Sequence, residues 1–432
     1  MKIPPVKGTR DFYPAEMAVR NWIIDGWKKV SIRNGFEEYD GPILEYLQMY
    51  QMKSGDEIVE QLFSLKDRGD RDLAIRPEIT PTLARMVNQQ INSLPRPIKW
   101  FSVPRLCRAE RPQKGRLREF FQWNIDIIGI DDCLADAEVI FCAIDYLQEA
   151  GLTANDIVVK ISSRKMLAAM LQAIGVGEDE LEALYALLDK RSKLPAETFI
   201  EMLREKVSDD DKRQKILELM NTDSLAGLAG PAERSAKAKE SVDELKRLFE
   251  LLGVMGVADF CRFDIGVVRG LAYYTGIVYE LYDKAGELRA IGGGGRYDDL
   301  LKQFGGPAVP AAGLAIGDCV LQIVLEEKGL LKKQIAARRI DYFVACTDEQ
   351  LFKKAVEITA KLRRSGSAAT FDYRGGKLGK QLKAASEQSA KTCIIIGDEF
   401  KNGDLVVKDM ATGQQQLVKL DKFLSQLQPQ SK

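Results

Sequence analysis

The chain has 432 residues, 45% of them hydrophobic and 29% charged, and its 63 Lys and Arg residues balance its 63 Asp and Glu residues. This composition excludes a disordered chain and a membrane-embedded one, and the length favours two or three domains over a single core. No apolar run approaches the ~20 residues that a transmembrane helix needs, so we expect a cytoplasmic protein.

Histidine and cysteine usage limits the chemistry that this chain can perform. It contains no histidine, so any catalysis works without an imidazole of the protein's own. Its seven cysteines are scattered and include no C-x-x-C pair, which argues against a zinc site or a redox couple. We therefore predict reduced, structural thiols and no metal site built from protein side chains.

The first part of the chain is predicted to alternate helices with short strands. Apolar residues at helical spacing predict a helix over 15–34, and Asn34-Gly35 is a stop signal for it. Extended chain is predicted around Pro42, and strands are predicted over 72–75 and 98–106.

Segment 119–130 alternates polar residues with β-branched and aromatic ones, which predicts a strand. That period of two places Gln122, Asn124 and Asp126 on one face of the strand.

The amino-acid composition changes in the middle of the chain. Residues 165–254 are charge-rich and rich in Leu and Ala, which predicts a helical insertion. Strands are expected again over 267–282, and the glycines of 292–295 predict a sharp turn or a close backbone approach. A helix over 315–328 is expected to complete this unit.

From Arg338 onward, strand and helix patterns alternate and predict a compact α/β unit. This segment carries 17 Lys and Arg against 11 Asp and Glu, a balance of +6, while the remaining chain carries 46 against 52, a balance of −6. Such basic surface suits a module that meets a phosphate backbone. A solvated helical face would produce the same charge.

An arginine-rich loop joins two predicted strands over 105–126, with five arginines in the loop and its edges. Because a guanidinium recognises phosphate oxygens in a bidentate manner, Arg108, Arg111, Arg116 and Arg118 suit a triphosphate or an RNA end. A surface hairpin made soluble by arginine is the alternative.

Further motifs resemble those of one family, the histidyl-tRNA synthetases. Residues 108–116 (Arg-Ala-Glu-Arg-Pro-Gln-Lys-Gly-Arg) resemble the second signature of class II aminoacyl-tRNA synthetases in its histidine-specific form. Residues 269–276 (Arg-Gly-Leu-Ala-Tyr-Tyr-Thr-Gly) and 294–298 (Gly-Gly-Arg-Tyr-Asp) resemble the two stretches peculiar to the family. Lys7 to Asp11 resembles the family's N-terminal opening, and Pro42 sits where the first signature has its proline.

The resemblance implies a fold and an activity. It implies an α+β catalytic domain over 1–335, built on an antiparallel sheet with a helical insertion at about 165–255, and an α/β anticodon-binding domain over 338–432. The implied reaction activates histidine with ATP to histidyl-adenylate and transfers it to the 3′ end of tRNA(His). Mg²⁺ held mainly by ATP, and a homodimer with its interface in 15–50, are also implied, with neither membrane nor DNA as a partner.

The resemblance also implies a role for each motif residue. Arg108 and Arg269 would grip the α-phosphate of ATP, and Glu110 and Arg116 would contact adenine and the terminal phosphates. Six residues would bind histidine: Glu78, Thr80 and Gln122 at its ammonium group, and Asp126, Tyr273 and Tyr274 at its imidazole.

The physical chemistry agrees with these roles. A histidine carboxylate is already ionised at neutral pH, so activation needs alignment and charge stabilisation rather than a general base. Tyrosines in a strand are more often core than ligand, whereas a buried Asp126 needs a partner, which we expect to be the substrate.

The chain departs from the family at the third class II signature, where Val320 occupies the position of an arginine. This departure leaves two alternatives open. One is a synthetase-like regulatory subunit of histidine biosynthesis that binds histidine and charges nothing. The other is an RNA-binding module with an inactive site.

Overall fold

The computed structural model describes residues 3–51, 61–191, 194–268, 273–286, 288–331, 340–373 and 376–426. They belong to two compact units, an N-terminal unit of residues 1–331 and a C-terminal unit of residues 332–432. In the part of the chain that is described, no helix has both the length and the apolar character to cross a membrane.

A large, mostly antiparallel sheet forms the centre of the N-terminal unit. Its strands are β1 (Glu37–Glu38), β5 (Ile98–Ser102), β6 (Arg105–Cys107), β7 (Glu119–Ile128), β8 (Ile157–Ser163), β9 (Cys261–Phe263), β10 (Ile277–Asp283), β11 (Gly292–Arg296) and β12 (Ala311–Gly317). Their order is β1-β5-β7-β12-β11-β10-β8-β9, with β6 paired to β7. Among the described strands of this sheet, only the edge pairs β1-β5 and β8-β9 are parallel. The predicted antiparallel α+β fold is confirmed.

Beside this sheet lies a small antiparallel sheet of order β2-β4-β3, made of Leu44–Tyr46, Asp72–Ile75 and Phe63–Lys66. The helices formed by described residues of the unit are α1 (Pro14–Arg33), α2 (Leu47–Gln51), α3 (Thr80–Gln90), α4 (Cys133–Glu149), α5 (Arg164–Ile174), α6 (Leu181–Leu188), α7 (Ala196–Lys206), α8 (Asp210–Met220), α9 (Ala229–Ala232), α10 (Ala236–Val254), α11 (Leu300–Gln303) and α12 (Asp318–Glu327). Helices α5 to α10 follow one another between β8 and β9, where the sequence predicts a helical insertion.

Helix α1 covers one face of the large sheet. Trp27 of α1 stacks on Trp123 of β7 with ring centroids 6.1 Å apart, and the Trp123 indole donates a hydrogen bond of 2.8 Å to Ser31 Oγ. Both tryptophans are fully buried. Because successive side chains of a strand point to opposite faces, this packing turns the even-numbered residues of β7 away from the helix.

Three local predictions are corrected by the structure, and a fourth, which left two alternatives, is resolved. Segment 98–106 is two strands, because Val103 and Pro104 interrupt it and Pro104 has no N–H to donate. Of the range 267–282 predicted as strand, 269–272 lie outside the described residues, and the strand in the remainder begins at Ile277. Residues 292–295 form β11 and make no turn, although the close approach is real: a Cβ at Gly294 would collide with the β12 backbone. Finally, residues 315–317 end β12 and precede the helix.

The C-terminal unit is a five-stranded sheet with helices, as its alternating pattern predicts. Its strands are β13 (Tyr342–Cys346), β14 (Ala369–Phe371), β15 (Thr392–Ile396), β16 (Asp404–Asp409) and β17 (Gln415–Lys419), and its helices are α13 (Phe352–Arg364), α14 (Leu378–Glu387) and α15 (Leu420–Ser425). The order is β14-β13-β15-β16-β17. The first three strands are parallel and the last two form an antiparallel hairpin on β15.

Candidate active site

A cavity of about 760 Å³ opens on the face of the large sheet that α1 leaves uncovered. It is lined by nine of the ten residues that the sequence assigns to the site: Glu78, Thr80, Arg108, Glu110, Arg116, Gln122, Asp126, Tyr273 and Tyr274. The tenth, Arg269, lies in 269–272, outside the described residues. Residues spread over nearly 200 positions of sequence therefore meet in one space.

Strand β7 supplies one row of cavity residues. Phe120, Gln122, Asn124 and Asp126 alternate with residues of the opposite face and all line the cavity, as the period of two predicts for the last three. Strand β12 lies next to β7 and pairs Gly313 with Asp126 and Gly317 with Gln122. Because Gly313 and Gly317 have no side chains, β12 leaves the cavity open at these two positions.

Asp126 lies at the closed end of the cavity and is only 4% exposed. Its Oδ1 accepts a hydrogen bond from the Tyr297 hydroxyl, whereas its Oδ2 is buried and receives no hydrogen bond from any described residue. A Cβ at Gly313 would overlap both Asp126 and Tyr297. Burial raises the pKa of Asp126 to about 7, and the Tyr297 hydrogen bond acts in the opposite direction. This end can accept a hydrogen bond from a ligand N–H.

Three tyrosines enclose the same end. Rings of Tyr273 and Tyr274 lie 4.9 Å apart, and Tyr273 meets Tyr297 edge-on at 6.0 Å. All three side chains are buried, so both predicted tyrosines are part of the core and of the cavity wall at once. An aromatic pocket with one carboxylate suits a flat ring that carries N–H groups.

The opposite end of the cavity is rich in arginine. Arg108 Nε donates 2.9 Å to the carbonyl oxygen of Pro77, and its guanidinium lies 5.3 Å from the ring centroid of Phe120. Arg116 is ion-paired with Glu110, which is 8% exposed. Guanidinium groups held in this way form a site for anionic oxygens.

Glu78 and Thr80 come from the connection between β4 and α3. Glu78 is 5% exposed and Thr80 is the first residue of the helix. The hydrogen bond from Arg108 to Pro77 joins this connection to the arginine loop. A buried carboxylate here, between the two ends of the cavity, suits a ligand ammonium group.

Phe120, Asn124, Tyr297 and Arg289 line the cavity but were given no role by the sequence. The alternation of β7 predicts that Phe120 lies on the same face of the strand as Gln122 and Asp126. Tyr297 lies inside the motif 294–298, so the sequence indicates that it belongs to the site but not that its hydroxyl donates to Asp126. Nothing in the sequence marks Arg289, which belongs to the loop between β10 and β11.

The family model for histidyl-tRNA synthetase matches residues 8–318, and the model for an anticodon-binding domain matches residues 341–430. This chain belongs to the histidyl-tRNA synthetase family. The resemblance predicted from its motifs is confirmed.

Individual relatives are similar over nearly the whole chain. The chloroplastic/mitochondrial histidine–tRNA ligase of Arabidopsis thaliana is 39% identical over 97% of this chain and 85% of its own length. The histidine–tRNA ligase of Pyrococcus horikoshii is 38% identical over 98% of both chains. The crystal structure of apo Staphylococcus aureus histidyl-tRNA synthetase matches with a TM-score of 0.75 and 27% identity, covering 98% of this chain and 99% of that one.

Proposed function

We propose that this chain is a histidine–tRNA ligase, which activates histidine with ATP to histidyl-adenylate and diphosphate and then transfers histidine to the 3′ end of tRNA(His). The observation that carries this proposal is a single cavity with a buried carboxylate among tyrosines at one end and arginines at the other. Histidine and ATP are chemically matched to these two ends.

Histidine occupies the Asp126 end. A ring N–H of the substrate donates to Asp126 Oδ2, which no described residue satisfies, and Tyr273 and Tyr274 enclose the imidazole. Glu78, Thr80 and Gln122 bind the α-ammonium group. An amino acid that lacks the ring N–H would leave the buried carboxylate unpaired, at a cost of roughly 1–3 kcal/mol.

ATP occupies the arginine end, with Glu110 at adenine and Arg116 at the terminal phosphates. Arg108 and Arg269 flank the α-phosphate. The histidine carboxylate attacks the α-phosphorus, the bond to the bridging oxygen breaks and diphosphate leaves with its electron pair, so no proton moves. Two guanidinium groups stabilise the charge that develops at phosphorus, which needs no imidazole from the protein.

In the second step, the terminal hydroxyl of tRNA attacks the carbonyl carbon of histidyl-adenylate and AMP leaves. An oxygen of the substrate's own phosphate takes the hydroxyl proton. Mg²⁺ enters as the ATP complex, because phosphate oxygens and water are its preferred ligands. Among the described residues, no group of three or more carboxylate or thiol side chains could hold a metal.

The C-terminal unit is proposed to bind the anticodon of tRNA. Two observations support this role: its match to an anticodon-binding domain over residues 341–430 and its excess of basic residues, 17 against 11 from Arg338 onward. Basic surface attracts the phosphate backbone independently of its sequence.

We also propose that the protein is a homodimer in the cytoplasm. The small sheet of the N-terminal unit and the residue before its strand β2 expose four large apolar side chains: Ile43 at 59%, Leu44 at 44%, Tyr46 at 57% and Leu65 at 41%. Three of them lie within the segment 15–50 to which the sequence assigns the interface. A second copy that covered this sheet would remove them from water.

Histidine-dependent exchange of labelled diphosphate into ATP tests the proposal. We expect exchange with histidine and none with other amino acids, followed by histidine acceptance when tRNA is added. A protein that binds histidine without exchange would instead be the regulatory subunit, and one that retains tRNA without exchange would be an inactive RNA-binding module.

A further inference from the structure

The two stretches that resemble motifs peculiar to the family meet at one pair of residues, Thr275 and Asp298. The Thr275 hydroxyl donates 3.0 Å to Asp298 Oδ2 and accepts 3.1 Å from the backbone N–H of Asp298. The backbone N–H of Thr275 also donates 2.8 Å to the carbonyl oxygen of Arg296. Hydrogen bonds therefore join segment 273–276 to segment 294–298.

A cavity tyrosine precedes each member of this pair. Tyr274 comes directly before Thr275, and Tyr297 comes directly before Asp298. Both tyrosines line the cavity, whereas Thr275 and Asp298 do not. Because neighbouring residues share one stretch of backbone, the hydrogen bonds of the pair fix the backbone that carries the two rings. Tyr297 is the tyrosine whose hydroxyl donates to Asp126.

The Asp298 side chain is held from a further direction by Arg296. Asp298 Oδ1 accepts 3.3 Å from the backbone N–H of Ala311 and 3.4 Å from Arg296 Nη1. Arg296 is 4% exposed, is ion-paired with Asp136 of α4, and donates 2.8 Å to the carbonyl oxygen of Asp132. Each oxygen of the Asp298 carboxylate thus has a partner, and Arg296 connects this carboxylate to α4.

The contact between Tyr297 and Asp126 depends on where this backbone lies. The N–H of Tyr297 donates 2.8 Å to the carbonyl oxygen of Ala311, so β12 holds the chain before Tyr297 and the Thr275–Asp298 pair holds it after Tyr297. A hydrogen bond weakens steeply beyond about 3.2 Å. A displacement of the backbone by about 1 Å would therefore separate the Tyr297 hydroxyl from Asp126.

We propose that Thr275 and Asp298 are positioning residues for histidine recognition: their hydrogen bonds hold the Tyr297 hydroxyl on Asp126, and neither residue touches the substrate. This inference rests on the proposed function, because it assigns histidine to the Asp126 end of the cavity. It makes the geometry of the imidazole pocket depend on two residues that lie behind its wall.

Thr275→Val tests the inference, because valine has nearly the shape of threonine and lacks the hydroxyl. Measured by calorimetry at pH 7 without ATP, the Kd for histidine should rise at least about threefold and no further than in Tyr297→Phe, since loss of the Tyr297 contact is the most that the change can cause. The Kd for ATP should stay within twofold. A smaller rise in the histidine Kd, or equal losses for histidine and ATP, would overturn the inference.

Two further variants act as controls. Thr275→Ser restores a hydroxyl, so its histidine Kd should return to within twofold of the unaltered protein. Thr153→Val is the matched control, because the Thr153 hydroxyl also donates to an aspartate, Asp156, at 2.8 Å and does not line the cavity. It should leave the histidine Kd unchanged. Asp298→Ala repeats the comparison from the other side of the pair, so the test does not depend on the stability of one variant.

A double variant separates positioning from a general loss of structure. In the Tyr297→Phe background there is no hydroxyl to hold, so adding Thr275→Val should weaken histidine binding by less than about 1.5-fold, whereas independent effects would multiply. Multiplied losses would overturn the inference.

A crystal structure of ligand-free Thr275→Val needs no bound histidine. It should place the Tyr297 hydroxyl more than about 3.5 Å from Asp126 Oδ1, and an intact hydrogen bond would overturn the inference even in a protein that proves to be a ligase. Failure of diphosphate exchange by the unaltered protein would overturn the proposed function instead, and the ligand-free structure would still decide what Thr275 positions.

Discussion

Replacing Tyr297 by phenylalanine removes one hydroxyl from the proposed imidazole pocket and leaves the ring in place. That hydroxyl donates to Asp126 Oδ1. Burial already raises the pKa of Asp126 to about 7, and the hydrogen bond from Tyr297 lowers it. Since the bond stabilises the ionised carboxylate, its loss must raise the pKa of Asp126 further.

The size of the effect follows from the bond that is lost. A hydrogen bond to a charged group contributes about 1.5–3 kcal/mol, which corresponds to about 1–2 pKa units. The titration of Asp126 should therefore move from about 7 to roughly 8–9. If histidine binds the ionised carboxylate, half of the unaltered molecules are competent at pH 7, against about 1–10% of the variant, so its affinity should fall roughly 5- to 50-fold.

Histidine binding measured by calorimetry from pH 6 to 9.5, without ATP, checks this expectation. The ratio of the two Kd values should be largest at the acid end of this pH range and shrink toward unity at high pH, where both carboxylates are ionised. Tyr146→Phe is the control, because it removes a buried hydroxyl from α4, outside the cavity lining. A ratio that stays constant across the pH range would refute the assignment of Asp126 as the titrating ligand of imidazole.

Three further predictions concern the phosphate site, the C-terminal unit and the proposed dimer. Arg269→Ala should lower the rate of adenylate formation by at least about 100-fold, on the scale of one lost donor to a developing charge, while histidine affinity stays within twofold; unchanged diphosphate exchange would speak against the α-phosphate role. Truncation before Arg338 should reduce tRNA charging far more than diphosphate exchange, and equal losses would exclude an anticodon module. Tyr46→Glu places a charge on the exposed apolar sheet and should shift the mass measured by light scattering from dimer to monomer; a mass that is already monomeric before the substitution would contradict the dimer.

The sequence predicts best those parts of the cavity wall whose residues follow a local pattern. Alternation in 119–130 places Gln122 and Asp126 on the cavity face, because a strand's period of two is fixed by its backbone. The sequence also predicts ligand binding by the arginine loop and the Glu78 segment, and both segments line the cavity. Their meeting in one cavity follows from strand pairing, which acts between residues distant in sequence.

Predictions were wrong or left open where tertiary packing decides the structure. The glycines of 292–295 predicted either a sharp turn or a close backbone approach, and only the packing of the sheet decides for the close approach, because the neighbouring strands leave no room for a side chain at Gly294. The start of α12 was predicted three residues early because Ala315 to Gly317 is as compatible with a helix as with a buried strand. Arg289 has no local signal, and the motif that contains Tyr297 does not reveal that its hydroxyl donates to Asp126.

A crystal structure with a stable sulfamoyl analogue of histidyl-adenylate tests the central claim most directly. The account predicts a ring nitrogen within about 2.7–3.2 Å of Asp126 Oδ2 and the sulfamoyl group beside Arg108. An analogue bound outside this cavity, or an imidazole that leaves Oδ2 without a donor, would contradict it.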